Sequence, residues 1–312
     1  MSVVTAQMVK ELREMTLAGM SDCKKALDAA LGDMDKAVVI LRERGLANAA
    51  KKADRVASEG VVTAFVSSNT LGYAFEVNCE TDFVTKNDAF QLFITQLQNV
   101  VSQKSPSSLE ELLKLSFDSA VTVEEKSVQL VATIGEKINV RRFSKVGNGK
   151  NYVASYVHGN GKIGVLVEFS GSNLNSQTPD LFEVGKDVAL QIAAMKPLYL
   201  QESEISSDVI QQEESIIRNK FLAQGKPEAA LAKIVPSSLK TWFKEVCLND
   251  QLFVKDDSKT VSNYVLEVGK KFGISDLKIA SFVRMELGQG VEKKSEDFAA
   301  EVAATVAAAQ KH

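Results

Sequence analysis

Histidine is nearly missing from this chain: its 312 residues include two, and one of them, His312, is the last residue. A histidine metal site or a histidine-assisted nucleophile would therefore have to be built on His158 alone. The three cysteines, Cys23, Cys79 and Cys247, are odd in number, far apart and without C-x-x-C spacing. They read as reduced, buried thiols rather than as disulfides or a zinc site. No phosphate-binding P-loop, dinucleotide fingerprint or H-E-x-x-H motif occurs. No apolar run approaches the ~20 residues that a membrane helix needs. Met1 to Thr5 lacks the basic flank and following apolar stretch of a signal peptide, so a cytoplasmic setting or another reducing compartment such as an organelle matrix is expected. The net charge of −3 leaves no basic excess of the kind that holds nucleic acid by neutralising phosphates. Neither nucleic acid nor membrane is an expected partner, and no cofactor, metal or catalytic residue is expected.

What is present is ordinary globular composition, 45% hydrophobic and 25% charged. The length suffices for two or more compact units at ~150 residues each. Residues 1–45 read as three short helices. Met8, Val9, Leu12 and Met15 share a face, as do Cys23, Ala26, Leu27 and Ala30, and then Met34, Ala37, Val38 and Leu41. Gly19, Gly32 and Gly45 are expected to end or separate these helices in left-handed conformations, with Ser21 and Asp33 as N-caps. The unit is too small to be very stable alone and has the character of a recognition head. Lys51-Lys52-Ala53-Asp54-Arg55 follows in a polar connector and reads chiefly as a solvated helix face, with a functional basic patch as the other reading.

The remainder carries an internal duplication. The first copy has strands at 60–66 and 71–78 and a helix with Phe90, Phe93, Ile94, Leu97 and Val101 on one face. A helix opened by a Thr122/Glu125 capping box and a strand at 141–146 follow. The second has strands at 152–158 and 162–169 joined at Gly159-Asn160-Gly161, a hairpin signal, then a helix through Leu181, Val184, Val188 and Ile192. It resumes with a helix opened at Thr260-Val261 and a strand at 281–287. The predicted class is α+β, with two antiparallel three-stranded units and helices on one face of each. Between the helices of the second copy, residues 206–224 and the stretch through Trp242 and Val246 read as a helical hairpin broken at Gly225-Lys226-Pro227. Pro236 is expected to kink or split its second arm. Residues 294–310 read as an Ala-rich helix with one narrow stripe, Phe298, Val302 and Val306.

Glu76-Val77-Asn78-Cys79-Glu80-Thr81-Asp82-Phe83-Val84 is the most informative segment. The alternating run from Tyr73 to Val77 reads as a strand that stops at this acidic turn, and Asp88 opens a helical pattern. An aromatic ring beside a carboxylate at such a junction, if both point outward, forms an apolar wedge suited to entering another protein. Cys79 with His158 as a thiol enzyme is a different reading, but no third, orienting residue accompanies the pair.

Taken in order, these segments resemble the bacterial-type elongation factor Ts family, guanine-nucleotide exchange factors for elongation factor Tu. The residues that carry the resemblance are Val9-Lys10-Glu11-Leu12-Arg13, Ala18-Gly19-Met20, Asp22 to Leu27, Glu76 to Val84, Gly135-Glu136-Lys137-Ile138 with Arg141-Arg142-Phe143, Gly161 to Leu166, Ile192-Ala193-Ala194, Gln251-Leu252-Phe253-Val254 and Phe282-Val283-Arg284. The resemblance implies a ubiquitin-associated-like three-helix domain over 1–55 and a core of two similar subdomains over 56–146 and 147–290. It also implies a helical-hairpin insertion at about 198–257 and a C-terminal helical module over 291–312. It implies a non-enzymatic partner of elongation factor Tu, in its GDP-bound and nucleotide-free states, with a homodimer left open. Thr81, Asp82, Phe83 and Val84 are implied to act in dislodging the partner's Mg²⁺, and Arg13, Met20 and Lys24 in meeting its nucleotide-binding domain. The chain departs from the family at Leu17 (often Gly), Ser21 (often Met), Gln191 (often a His near the partner) and Pro236-Ser237 (commonly Gly-Arg). A non-catalytic adaptor, holding another protein through its helical head, is the alternative.

Overall fold

The computed structural model describes residues 4–16, 18–172, 174 and 181–291. The departure at Leu17 and the helix read over 294–310 lie outside these residues. Helices α1 (Ala6–Thr16), α2 (Met20–Ala29) and α3 (Met34–Lys52) close on Val9, Leu12, Cys23, Ala26, Leu27 and Ala37. The expected faces are the packed ones, except that Met15 at the end of α1 is 64% exposed. The punctuation differs in three places. Asp33 caps α3 as expected, accepting from the Lys36 amide at 3.0 Å, and Gly32 is left-handed at φ 83°. Gly19, however, is the extended N-cap of α2, which puts Ser21 inside the helix. Gly45 does not end α3, which runs on to Lys52. A Cβ there would lie 3.4 Å from the Ala132 methyl, so the missing side chain lets α3 approach a neighbouring helix.

Strands β1 (Glu59–Ser68) and β2 (Leu71–Cys79) form a hairpin, and helices α4 (Asp88–Lys104), α5 (Leu109–Lys114) and α6 (Val123–Ile134) precede β3 (Ile138–Val146). The Thr122/Glu125 capping box is formed, and Gly135 closes α6 at φ 89°. The second set begins with β4 (Tyr152–His158) and β5 (Ile163–Ser170), whose turn residues Gly159, Asn160 and Gly161 all have positive φ. Helix α7 (Phe182–Met195) follows, then the arm α8 (Ser207–Ala223) and α9 (Glu228–Val246). A short hairpin, β6 (Leu252–Phe253) with β7 (Asp256–Thr260), leads to α10 (Val261–Lys271) and β8 (Lys278–Glu286). No strand was expected at β6 or β7.

The sheets are antiparallel, ordered β1-β2-β3 and β4-β5-β8. Each covers one face with its own helices: Tyr73, Phe75 and Val77 pack with Phe90, Phe93 and Leu97, and Val165, Val167 and Phe169 with Val184, Val188 and Ile192. The opposite faces meet each other through Val62, Ala64, Ala74, Val153, Leu166 and Met285. Period-2 alternation explains this arrangement, because each central strand is apolar on both sides. Matching bulges mark the duplication, one beside Glu76 on β2 and one beside Glu168 on β5.

Pro236 neither splits nor ends α9, which passes through it. Its missing N–H removes one helical bond, but Val235, Leu239 and Phe243 on the same helix are buried in a cluster with Ile217 of α8. Packing of the arm overrides the local preference. No helix among the described residues is long and apolar enough to cross a membrane.

Candidate functional site

The Thr81–Val84 segment is fixed from both ends. Upstream, β2 is buried along nearly its whole length and delivers Cys79 opposite Ile138. Continuing that antiparallel register sets Glu80 against Lys137 and Thr81 against Glu136. The Lys137 amide donates to Glu80 Oε1 at 2.6 Å. The Thr81 amide and hydroxyl donate to the two Glu136 carboxylate oxygens at 2.9 and 2.7 Å. Downstream, the chain tightens into a 3-10 turn over Val84–Lys86. The Asp82 carbonyl accepts from the Thr85 amide and hydroxyl, and the Phe83 carbonyl from the Lys86 amide. Asn87 then caps α4, accepting from the Ala89 amide at 2.9 Å.

This wrapping decides where the side chains go. Val84 is 5% exposed and sits in the core with Phe90 and Phe93, so it anchors the turn instead of presenting itself to a partner. Phe83, one residue earlier, is 79% exposed, the most exposed large apolar side chain among the described residues. Its ring stacks on no other aromatic among them, and the neighbouring Asp82 carboxylate is exposed and in no ion pair. A pinned turn thus holds this apolar ring outside the core and in contact with solvent. Thr81 is half-buried and serves as the clamp point.

Arg13, Met20 and Lys24 are all exposed on the helical head, Met20 and Lys24 one turn apart on α2. Arg13 and Lys24 form no ion pair among the described residues. No hydrogen bond or ion pair among the described residues joins them to the Phe83 turn, but the head and the turn share a junction, Gly135-Glu136-Lys137. Lys52 at the end of α3 donates to the Gly135 carbonyl, and the Lys137 ammonium donates to the carbonyls of Ala53 and Arg55. Arg55 also pairs with Glu80 at 3.2 Å. Lys52 and Arg55 are therefore tied into this junction, which neither reading of the basic connector anticipated. Higher up, Arg42 of α3 pairs with Glu125 of α6.

Two other expectations change. Gln191 is fully buried. Its amide donates to Gln251 Oε1 and to the Leu252 carbonyl, both at 3.1 Å, and its carbonyl accepts from the Val254 amide at 2.8 Å. It fastens the β6–β7 hairpin to α7 and presents nothing to a partner. Cys79 is buried, and its thiol donates to the Thr81 carbonyl at 3.1 Å. Burial, with the nearby charge of Glu136, pushes that thiol up to about 12, so it carries no thiolate at neutral pH. His158 hydrogen-bonds Tyr156 on the other sheet, and the structure does not pair it with Cys79.

A family model described as Elongation factor TS matches residues 80–289. The elongation factor Ts of Clostridium perfringens (strain SM101 / Type A) is 47% identical over 302 residues, covering 96% of this chain and 98% of that protein. The elongation factor Ts of Clostridium botulinum (strain Eklund 17B / Type B) is 45% identical with the same coverage. That of Clostridium novyi (strain NT) is 46% identical over 303 residues, again 96% and 98% of the two chains.

Proposed function

We propose, from the premise that the chain belongs to the elongation factor Ts family, that it binds elongation factor Tu and accelerates GDP release without making or breaking a covalent bond. The observation that carries this reading is the exposed Phe83 beside Asp82 on a turn held rigid by Glu136, Asn87 and Val84. A protein that binds the nucleotide-free partner more tightly than its GDP form weakens GDP by the same free energy. Phe83 is the wedge and Asp82 the charge that disturbs the partner's Mg²⁺, whose small, rigid shell of oxygens tolerates little displacement. Thr81 and Val84 hold the wedge in place.

The wedge does not act alone. A release rate raised ~10⁴-fold needs about 5.5 kcal/mol of barrier lowering, and burying one Phe supplies only about 1.5–3 kcal/mol. The rest is assigned to Arg13, Met20 and Lys24 on a head read as ubiquitin-associated-like, and to the second sheet unit. Division of the chain at 55/56, 146/147 and 290/291 and a cytoplasmic location belong to the same proposal.

Release of a fluorescent GDP analogue from elongation factor Tu tests it. Wild-type protein accelerates release. Phe83→Ala slows the stimulated rate by about ten- to a hundredfold, as expected from about 1.5–3 kcal/mol of lost apolar contact, and leaves the unfolding midpoint unchanged. A wild-type rate no faster than spontaneous release ends the exchange-factor reading, whereas normal stimulation by Phe83→Ala with Asp82→Ala ends only the site assignment.

A further inference from the structure

A net charge of −3 argues against nucleic acid only as an average over the chain, and the charge is not evenly spread. Four of the helical arm's acidic residues, Asp208, Glu213, Glu214 and Glu245, lie toward its base, and from Ser215 to Lys244 it carries six basic residues, Arg218, Lys220, Lys226, Lys233, Lys240 and Lys244, and one acidic residue, Glu228. All six basic residues are exposed. Glu228 is taken up by Arg218 at 3.5 Å, while Lys220, Lys226, Lys233 and Lys240 enter no ion pair among the described residues. On α9 the lysines fall on one stripe. Lys233, Lys240 and Lys244 lie seven and four residues apart, within about 40° of one another at 100° per residue and spread over about 16 Å of helix. That stripe lies nearly opposite Leu231 and Val235 and borders Phe243, about 60° from Lys240; these three and Leu239 are what the arm uses internally against α8. Exposed Ser237 and Thr241 lie between the lysines.

We propose that this arm is an RNA-binding element that grips the phosphate backbone without reading sequence. Unpaired lysines interleaved with hydroxyls are the groups that contact phosphate and sugar. A docked acidic protein would also need an apolar anchor at the centre of the contact; the lysine-bearing α9 exposes no large apolar side chain, and those the arm does expose, Ile216 and Leu222, are on α8. The acidic remainder of the molecule repels the same ligand, which confines binding to the arm and orients the RNA along it.

The test is fluorescence anisotropy of a labelled RNA stem–loop with the full chain at several salt concentrations. About four phosphate contacts predict an affinity that falls about a hundredfold between about 50 and about 200 mM salt. The triple variant Lys226→Gln, Lys233→Gln, Lys240→Gln keeps the helical signal in circular dichroism and reduces the salt slope by about two to three, because each lysine accounts for about one unit. Absence of RNA binding by the wild type at low salt overturns the proposal. So does a triple variant with an unchanged slope, or polyglutamate displacing the RNA at equal charge concentration, which would assign the arm to an acidic protein surface. None of these outcomes depends on GDP release, so this element and the exchange reading stand or fall separately.

Discussion

A carboxylate with no exposed surface is costly unless donors surround it, and Glu76 has them. It accepts from the guanidinium groups of Arg141 and Arg142, the Asn78 amide and the Gly288 backbone amide. The bulge at Glu76/Val77 makes this possible. Arg142 lies opposite Glu76 and Val140 opposite Val77, so Arg141 is the extra residue and both arginines reach one carboxylate. The arginines continue to the far end of the chain, Arg142 to the Glu286 carbonyl and Arg141 to the Gln289 carbonyl, each at 2.7 Å. Burial works to raise the Glu76 carboxyl, but the Gly288 amide, Asn78 and Arg142 outweigh it and hold the group below the usual carboxylate range. A folded pKa below the unfolded value of about 4.3 means that this stabilisation is fully present above that value and is lost as pH falls through the folded pKa. Glu76→Gln is therefore expected to cost about 3–5 kcal/mol at neutral pH, the scale for breaking a buried ion pair. Urea unfolding curves check it: the gap between wild type and variant should narrow below about pH 4, and a gap that is constant with pH would show that the carboxylate charge is not what stabilises the cluster.

At the scale of the element, the turn that carries Phe83 is only as rigid as its clamp. Glu136 accepts both the Thr81 amide and the Thr81 hydroxyl, and at this half-exposed site the two bonds together are worth about 1.5–3 kcal/mol. Glu136→Ala should leave global stability nearly unchanged while amide hydrogen exchange over Thr81–Lys86 accelerates about ten- to a hundredfold, as expected if about 1.5–3 kcal/mol of local stability is lost. Stimulated GDP release should fall with it although Phe83 itself is untouched. Unaltered exchange in those amides would mean that Val84 and Asn87 suffice to hold the turn. This clamp was legible in part. Strand periodicity placed the end of β2 and the start of the pattern at Asp88, and pairing Cys79 with Ile138 would have set Thr81 against Glu136 two residues on. What local pattern could not supply was the register itself, because Gly135-Glu136-Lys137 carries no periodic signal. The same limit hid Gln191, a polar residue on an otherwise apolar helix face whose partners lie some 60 residues later. At Pro236 the split half of the expectation did not occur, since α9 continues through it while packed on α8. The duplication was the most readable feature, because each copy repeats a Thr-capped helix, at Thr122 and Thr260, and a Gly-x-Gly turn after its last strand, at Gly147-Asn148-Gly149 and Gly288-Gln289-Gly290.

At the scale of the whole molecule, what matters is how closely the units approach, and two glycines test this in opposite directions. Gly164 sits where the two sheets meet. A Cβ there would lie 2.6 Å from a Val62 methyl carbon and 3.2 Å from the Ala64 Cβ, with no left-handed backbone to confuse the result. Gly164→Ala should force the sheets apart at a cost of about 1–3 kcal/mol, the range for overpacking. Gly45 sits where α3 of the head meets α6, and its added methyl would make only an ordinary 3.4 Å contact with Ala132. There, the usual helix preference for Ala over Gly applies, and Gly45→Ala should stabilise by about 0.5–1 kcal/mol while filling the space between head and core. Chemical denaturation of the two variants separates close sheet packing from helix propensity, since a general tolerance for added methyls would move both midpoints the same way. The Gly45 variant also bears on function. If the head and the Phe83 turn act together through the junction at Gly135-Glu136-Lys137, gripping the head more firmly on α6 should preserve or raise stimulated GDP release. If exchange instead requires the head to swing away from the core, the same stabilised variant should release GDP more slowly than wild type, and the sign of that change decides between a rigid and a hinged molecule.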